Sequence, residues 1–196
     1  MKILTKLAVL GLFAVLPAHA NVLHWQANLA PEANRATGSG NVELTFDSIG
    51  HDLVFSAAFT GLSGTTTVAH FHCCTANPGT GTAGVAVDAP NLQIPTGVSA
   101  GSWSETRDLD DPNNFSAAFL SNNGGTTNGA IAALLAGFDA GTAYFNIHSS
   151  LFPGGEIRGF PTRVTDPVPV PVPGTLALML LGFAAVSRRR TCCRTR

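Results

Sequence analysis

Between Lys6 and the end of the chain there is no lysine. Arginine is scarce too. Outside the arginine-rich C-terminal end, only Arg35, Arg107, Arg158 and Arg163 stand against the chain's twelve acidic residues, a formal balance of −8 for residues 21–173. Such a surface repels nucleic acid and anionic lipid, which disfavours a polyanion-binding role. A phosphate-cradling loop is excluded as well, because it needs a lysine that this region lacks. Gly-x-Ser-x-Gly is absent, no Ser/His/Asp set stands out, and no second carboxylate is spaced to work with Glu156 as an acid–base pair. No catalytic signature therefore marks the chain as an enzyme. Charged residues make up only 12% of the sequence, without the Glu/Lys/Leu-rich stretches of a helical protein. Cysteine is confined to Cys73-Cys74 and Cys192-Cys193, so the central region has no partners for an ordinary intradomain bridge.

What is present begins with two distinctive ends. Residues 1–20, MKILTKLAVLGLFAVLPAHA, carry Lys2 and Lys6, an apolar run from Leu7 to Leu16, and the small-x-small site Ala18-His19-Ala20. These are the three parts of a secretory signal peptide, and the run is too short to span a bilayer of about 30 Å. At the other end, residues 166–173 alternate proline with valine, a stiff extended linker. Residues 174–190 follow as an apolar, uncharged segment closed by Arg188-Arg189-Arg190, with a short tail at 191–196. An apolar segment with a basic cluster behind it orients with that cluster in the cytoplasm. The expectation is an exported protein first anchored in the inner membrane and then held at the cell surface or in the extracellular matrix. The segment resembles the PEP-CTERM sorting signal of Gram-negative bacteria, in which Val-Pro-Glu-Pro precedes a short apolar helix and arginines. Here Val170-Pro171-Val172-Pro173 departs from it only at Val172. The resemblance implies an exosortase-like sorting enzyme as a partner.

Residues 21–165 have the length of one domain. Period-two alternation marks Val42-Leu44-Phe46, and Leu53 to Phe59 returns after a turn at 48–52, so 42–60 is predicted as a hairpin. Further strands are predicted over 65–72, 83–87 and 99–109, and a closing hairpin over 142–148 and 155–160. Asn122-Asn123-Gly124-Gly125 signals a turn, and 130–136 (AIAALLA) is predicted as the one short helix. The expected fold is all-β, an antiparallel sandwich or barrel-like domain, flanked by the signal helix and the C-terminal apolar helix.

Several of these pieces resemble the CHRD domain, a module first described in chordin and common in bacterial exported proteins. They are His70-Phe71-His72, Thr80 to Val85, Gly101-Ser102-Trp103, Leu134 to Gly137, Tyr144 to His148, and Pro153-Gly-Gly-Glu-Ile-Arg-Gly159. The resemblance covers roughly residues 25–162 and implies an all-β sandwich. It leaves the molecular activity open. Where many members follow His-x-His with a Gly-Pro loop, this chain has Cys73-Cys74-Thr75.

Three sets of residues are candidates for chemistry. His70 and His72 are two apart on a strand, so both rings take one face, and His148 shares a face with Asn146 and Tyr144 on another strand. Were the two strands neighbours, three imidazoles would converge into a site for Cu(II) or Zn(II). The alternative is that these rings hydrogen-bond to backbone or Asn and fill the sheet face. Cys73 and Cys74 are candidates for a vicinal disulfide, soft metal ligands, or a bridge to another chain. Glu156 and Arg158 share a strand face, either as an ion pair or each with its own neighbours. Two functions are carried forward. The first is a non-enzymatic domain making extracellular protein or polysaccharide contacts, as in a biofilm or exopolysaccharide matrix. The second is a Cu- or Zn-binding redox or sequestering domain built on His70, His72 and His148.

Overall fold

The computed structural model describes residues 22–87 and 92–164. The expected leader (1–20), the linker (166–173), the apolar segment (174–190) and the tail (191–196) lie outside the described residues. Among the described residues no helix is long and apolar enough to cross a membrane.

Among the described residues, nine strands make one antiparallel sheet curled into a half-barrel. They are β1 (Val22–Pro31), β2 (Ser39–Asp47), β3 (Asp52–Thr60), β4 (Thr66–His72), β5 (Val85–Val87), β6 (Gly101–Asp108), β7 (Tyr144–Ser149), β8 (Ile157–Gly159) and β9 (Thr162–Val164). The order is β5-β4-β7-β8-β1-β2-β3-β6, with β9 also paired to β1. Both predicted hairpins are there, with Phe46 opposite Leu53 in one and Phe145 opposite Gly159 in the other.

β1 was not anticipated, although it alternates buried Trp25, Ala27 and Leu29 with exposed Gln26 and Asn28. It joins the two halves of the sheet. Along one edge it pairs with β2 from Val22 to Leu29; along the other it meets β9 at its start and β8 at its end. The sheet turns there, bringing β3 to face β4 and β7. Phe55 on β3 lies 5.2 Å from Phe71 and 6.3 Å from Phe145, ring to ring, and its edge meets Trp103 at 6.2 Å.

The helix predicted over 130–136 extends in both directions, as α2 (Thr127–Asp139), and a shorter α1 (Ala117–Asn122) precedes it. Side-chain caps fix both starts. Ser116 Oγ accepts from Phe119 N–H and Thr126 Oγ1 from Gly129 N–H, each at 3.2 Å. Burial explains the extra length of α2. Phe138, in its last turn, packs against Trp25 at 5.5 Å and Phe71 at 6.0 Å.

The β4–β7 half of the sheet has an unusual second layer. All six residues of β7 are buried, so both of its faces are covered. Phe145 and Ile147 face the core, whereas Tyr144, Asn146 and His148 face outward under a roof of two loops, residues 73–84 and 150–156. Glu156 fastens the second loop. Its fully buried carboxylate accepts from the backbone N–H groups of Ser63 and Gly64 and from Ser149, tying the β7–β8 connection to the β3–β4 loop. Burial pushes this carboxyl up, but the hydrogen bonds outweigh it and hold it below its ordinary value of 4.5.

Two stability predictions follow from this packing. Phe55→Ala empties the centre of the aromatic cluster and should cost about 3–5 kcal/mol in denaturant unfolding. Glu156→Gln keeps the size but points an amide N–H₂ at N–H donors, costing about 2 kcal/mol. Because the folded carboxyl is depressed, its contribution is present above the unfolded value and disappears as pH falls through the folded one. Wild type and Glu156→Gln should therefore converge in stability as pH drops below 4.5; a gap that persists unchanged at low pH would refute the clamp.

Candidate functional site

The register of β4 against β7 assembles the site. His72 stands opposite Tyr144, His70 opposite Asn146, and Val68 opposite His148. Strand alternation puts His70, His72, Asn146 and His148 on the same outward face, while Ala69, Phe71, Phe145 and Ile147 fill the core. One ring nitrogen from each of His70, His72 and His148 lies within 4.8 Å of the others. His70 Nδ1 is 3.0 Å from His148 Nε2. His72 and His148 are each 8% exposed, and His70 is the member that solvent reaches.

The roof loops orient two of the rings. His148 Nδ1 donates to the Pro153 carbonyl at 2.8 Å, and His72 Nδ1 donates to the Ala83 carbonyl at 2.9 Å. In a neutral ring each of these bonds makes Nε2 the acceptor nitrogen. His72 Nε2 then looks at Asn146 Oδ1, 3.1 Å away. With its Nε2 the acceptor, His148 receives the His70 Nδ1–H, the hydrogen bond that joins these two rings. Ring nitrogens fixed by backbone carbonyls behind them are the arrangement in which histidine ligates metals.

A further layer surrounds these ligands. Asn146 is 1% exposed and donates through Nδ2 to Glu32 Oε1 at 3.1 Å. Glu32 Oε2 pairs with Arg158 Nε at 3.4 Å, and Arg158 also donates to the Gly81 carbonyl at 2.7 Å. The Arg158 guanidinium lies over the Tyr144 ring at 5.2 Å. Tyr144 in turn stacks on His72 at 4.7 Å with the planes 2° apart. Burial raises the Glu32 carboxyl above its ordinary value, only partly offset by Asn146, Arg158 and His148. Gly155 is what lets Glu32 in. Its φ is +122°, and a Cβ there would overlap the Glu32 carboxylate.

Glu156 and Arg158 have different partners: Glu156 binds backbone groups and Ser149, and Arg158 pairs with Glu32. The Cys73 and Cys74 sulfurs are bonded to each other. They sit on the other side of β4 from His72, against α2, where each Sγ is 3.8 Å from the Ala133 carbonyl. The aspartates near 108–111 serve local turns: Asp108 Oδ1 accepts from Asp110 N–H, and Asp111 Oδ1 caps a single 3-10 turn at Pro112–Asn114.

Glu32 had no signal in the sequence. It reaches Asn146 from 114 positions away, through the corner that β1 makes. Ala83 and Pro153 act through carbonyl groups, which no side-chain pattern reveals.

The CHRD-domain family model matches residues 20–160. No curated protein and no solved structure matches the chain.

Proposed function

The chain belongs to the CHRD-domain family, and we propose that its domain binds a copper or zinc ion through His70, His72 and His148. The observation that carries this reading is the convergence of three imidazole nitrogens within 4.8 Å. Zn–N bonds of about 2.0–2.1 Å place two nitrogens of one tetrahedral ion roughly 3.3 Å apart. The His70–His148 separation of 3.0 Å is already close to that. The cluster's nitrogens spread over no more than 4.8 Å, and His70, the least buried of the three, gives the ion its entrance. The cost of holding polar side chains on a roofed sheet face also supports the reading, since a sheet can leave its second face to solvent without such a layer.

The first reading carried from the sequence, a contact-making domain without chemistry of its own, draws on the two ends and the acidic surface. We keep its setting. The leader at 1–20 and the apolar segment at 174–190 support a domain working outside the cytosol, tethered at its C-terminal end and sorted by an exosortase-like enzyme. In that setting a metal-holding module serves sequestration or electron transfer among extracellular proteins and polysaccharide.

Equilibrium dialysis of the full chain against Cu(II) or Zn(II) should give one tightly held ion per chain. The ion should be lost in the His70→Ala/His72→Ala variant and in His148→Ala. With free metal at a hundred times its dissociation constant, the folded state gains about 2.7 kcal/mol, visible as a raised Tm. Equal binding by wild type and the double variant would end the proposal.

A further inference from the structure

The paired sulfurs of Cys73 and Cys74 play no part in the histidine cluster, and their surroundings are asymmetric. Cys73 is 7% exposed and counts among the core residues, whereas Cys74 is exposed. The backbone is fixed on both sides of the pair. Cys73 N–H donates to the Gly84 carbonyl at 3.1 Å, and Thr75 N–H donates to the Thr142 carbonyl at 2.9 Å. Helix α2 makes room for both sulfurs at Gly137, a buried helical glycine. A Cβ on that residue would stand 2.5 Å from Cys73 Sγ and 2.8 Å from Cys74 Sγ. An interior glycine costs a helix about 1 kcal/mol relative to alanine, so its presence here has a packing reason.

From this geometry we propose that Cys73–Cys74 is a two-electron thiol–disulfide exchange site, entered at Cys74 and selective for dithiol partners over monothiols. Exchange needs in-line access to a sulfur, and of the two residues Cys74 is the exposed one. The incoming thiolate bonds to Cys74 Sγ, the Cys73–Cys74 bond breaks, and Cys73 leaves as a thiolate that takes up a proton. With a monothiol, the chain stalls there. Cys73 is held beside the mixed disulfide by the Gly84 and Thr142 contacts, so its effective concentration is high and it expels the monothiol again. A dithiol escapes that return. Its second thiolate attacks its own bonded sulfur, closes a disulfide on the partner, and releases Cys74, which is protonated in turn. The protein gains two electrons and two protons, and the dithiol loses them. This inference stands apart from the metal reading, because the sulfurs lie across β4 from the histidine rings.

The test is alkylation of the full chain under native conditions, read by peptide mapping that separates Cys73-Cys74 from Cys192-Cys193. As isolated, neither Cys73 nor Cys74 should take label. Dithiothreitol should open both to labelling, whereas glutathione at equal thiol concentration should leave them largely closed and without a lasting adduct. In Cys73→Ala, oxidised glutathione should add at Cys74; in Cys74→Ala, Cys73 should stay unmodified until the protein is unfolded. Free thiols at 73 and 74 in the isolated protein would overturn the proposal. So would resistance to dithiothreitol short of unfolding, equal opening by glutathione, or preferential modification of Cys73.

Discussion

The pairing of β7 between β4 and β8 is the constraint from which the rest of this domain follows. A strand buried on both faces must satisfy its outward side chains without water, and here those side chains are aromatic, amide and imidazole. Two loops supply the partners with their carbonyl groups, and the loops themselves need anchoring. Glu156 ties one of them down through its hydrogen bonds to Ser63, Gly64 and Ser149, and Arg158 reaches Gly81 in the other. Strand register, roof and ring orientation are therefore one arrangement. A slip of one residue between β4 and β7 would send the histidines to the core and the phenylalanines outward.

Much of the fold was legible because it rests on local pattern. Val42, Leu44 and Phe46 alternate cleanly, and the return through Leu53 to Phe59 follows a turn with polar and glycine residues. The closing hairpin was readable from Phe152-Pro153-Gly154-Gly155 for the same reason. The full length of α2 was not, since its outer turns depend on the Thr126 cap and on Phe138 reaching Trp25 across the domain. β1 was missed although its alternation is regular. Its apolar positions include the small Ala27, and it ends on Pro31, both weak strand signals.

The candidate site was legible in part. His-x-His on a strand fixes a shared face by geometry alone, and the same logic aligned His148 with Asn146 and Tyr144. That these faces are one face depends on β4 and β7 being neighbours, a fact of topology rather than of either segment. Glu32 shows the limit more sharply. Its neighbours Pro31 and Ala33 give no hint, and its place beside Asn146 exists only because β1 reaches β8 and Gly155 leaves space. The formal acidity of the domain, by contrast, was readable at once, yet two of its four arginines, Arg107 and Arg158, are spent in ion pairs with Glu105 and Glu32.

The position of β1 in the sheet has a kinetic consequence. β1, first in the order of the described strands, is bonded to β8 and β9, the last two. Loops closed over such separations are slow to form, and the corner of the half-barrel cannot be made until Val164 is free. A domain wired in this way completes its cooperative core only when its first and last strands are both in place. The topology itself makes closure of the half-barrel a late event in folding.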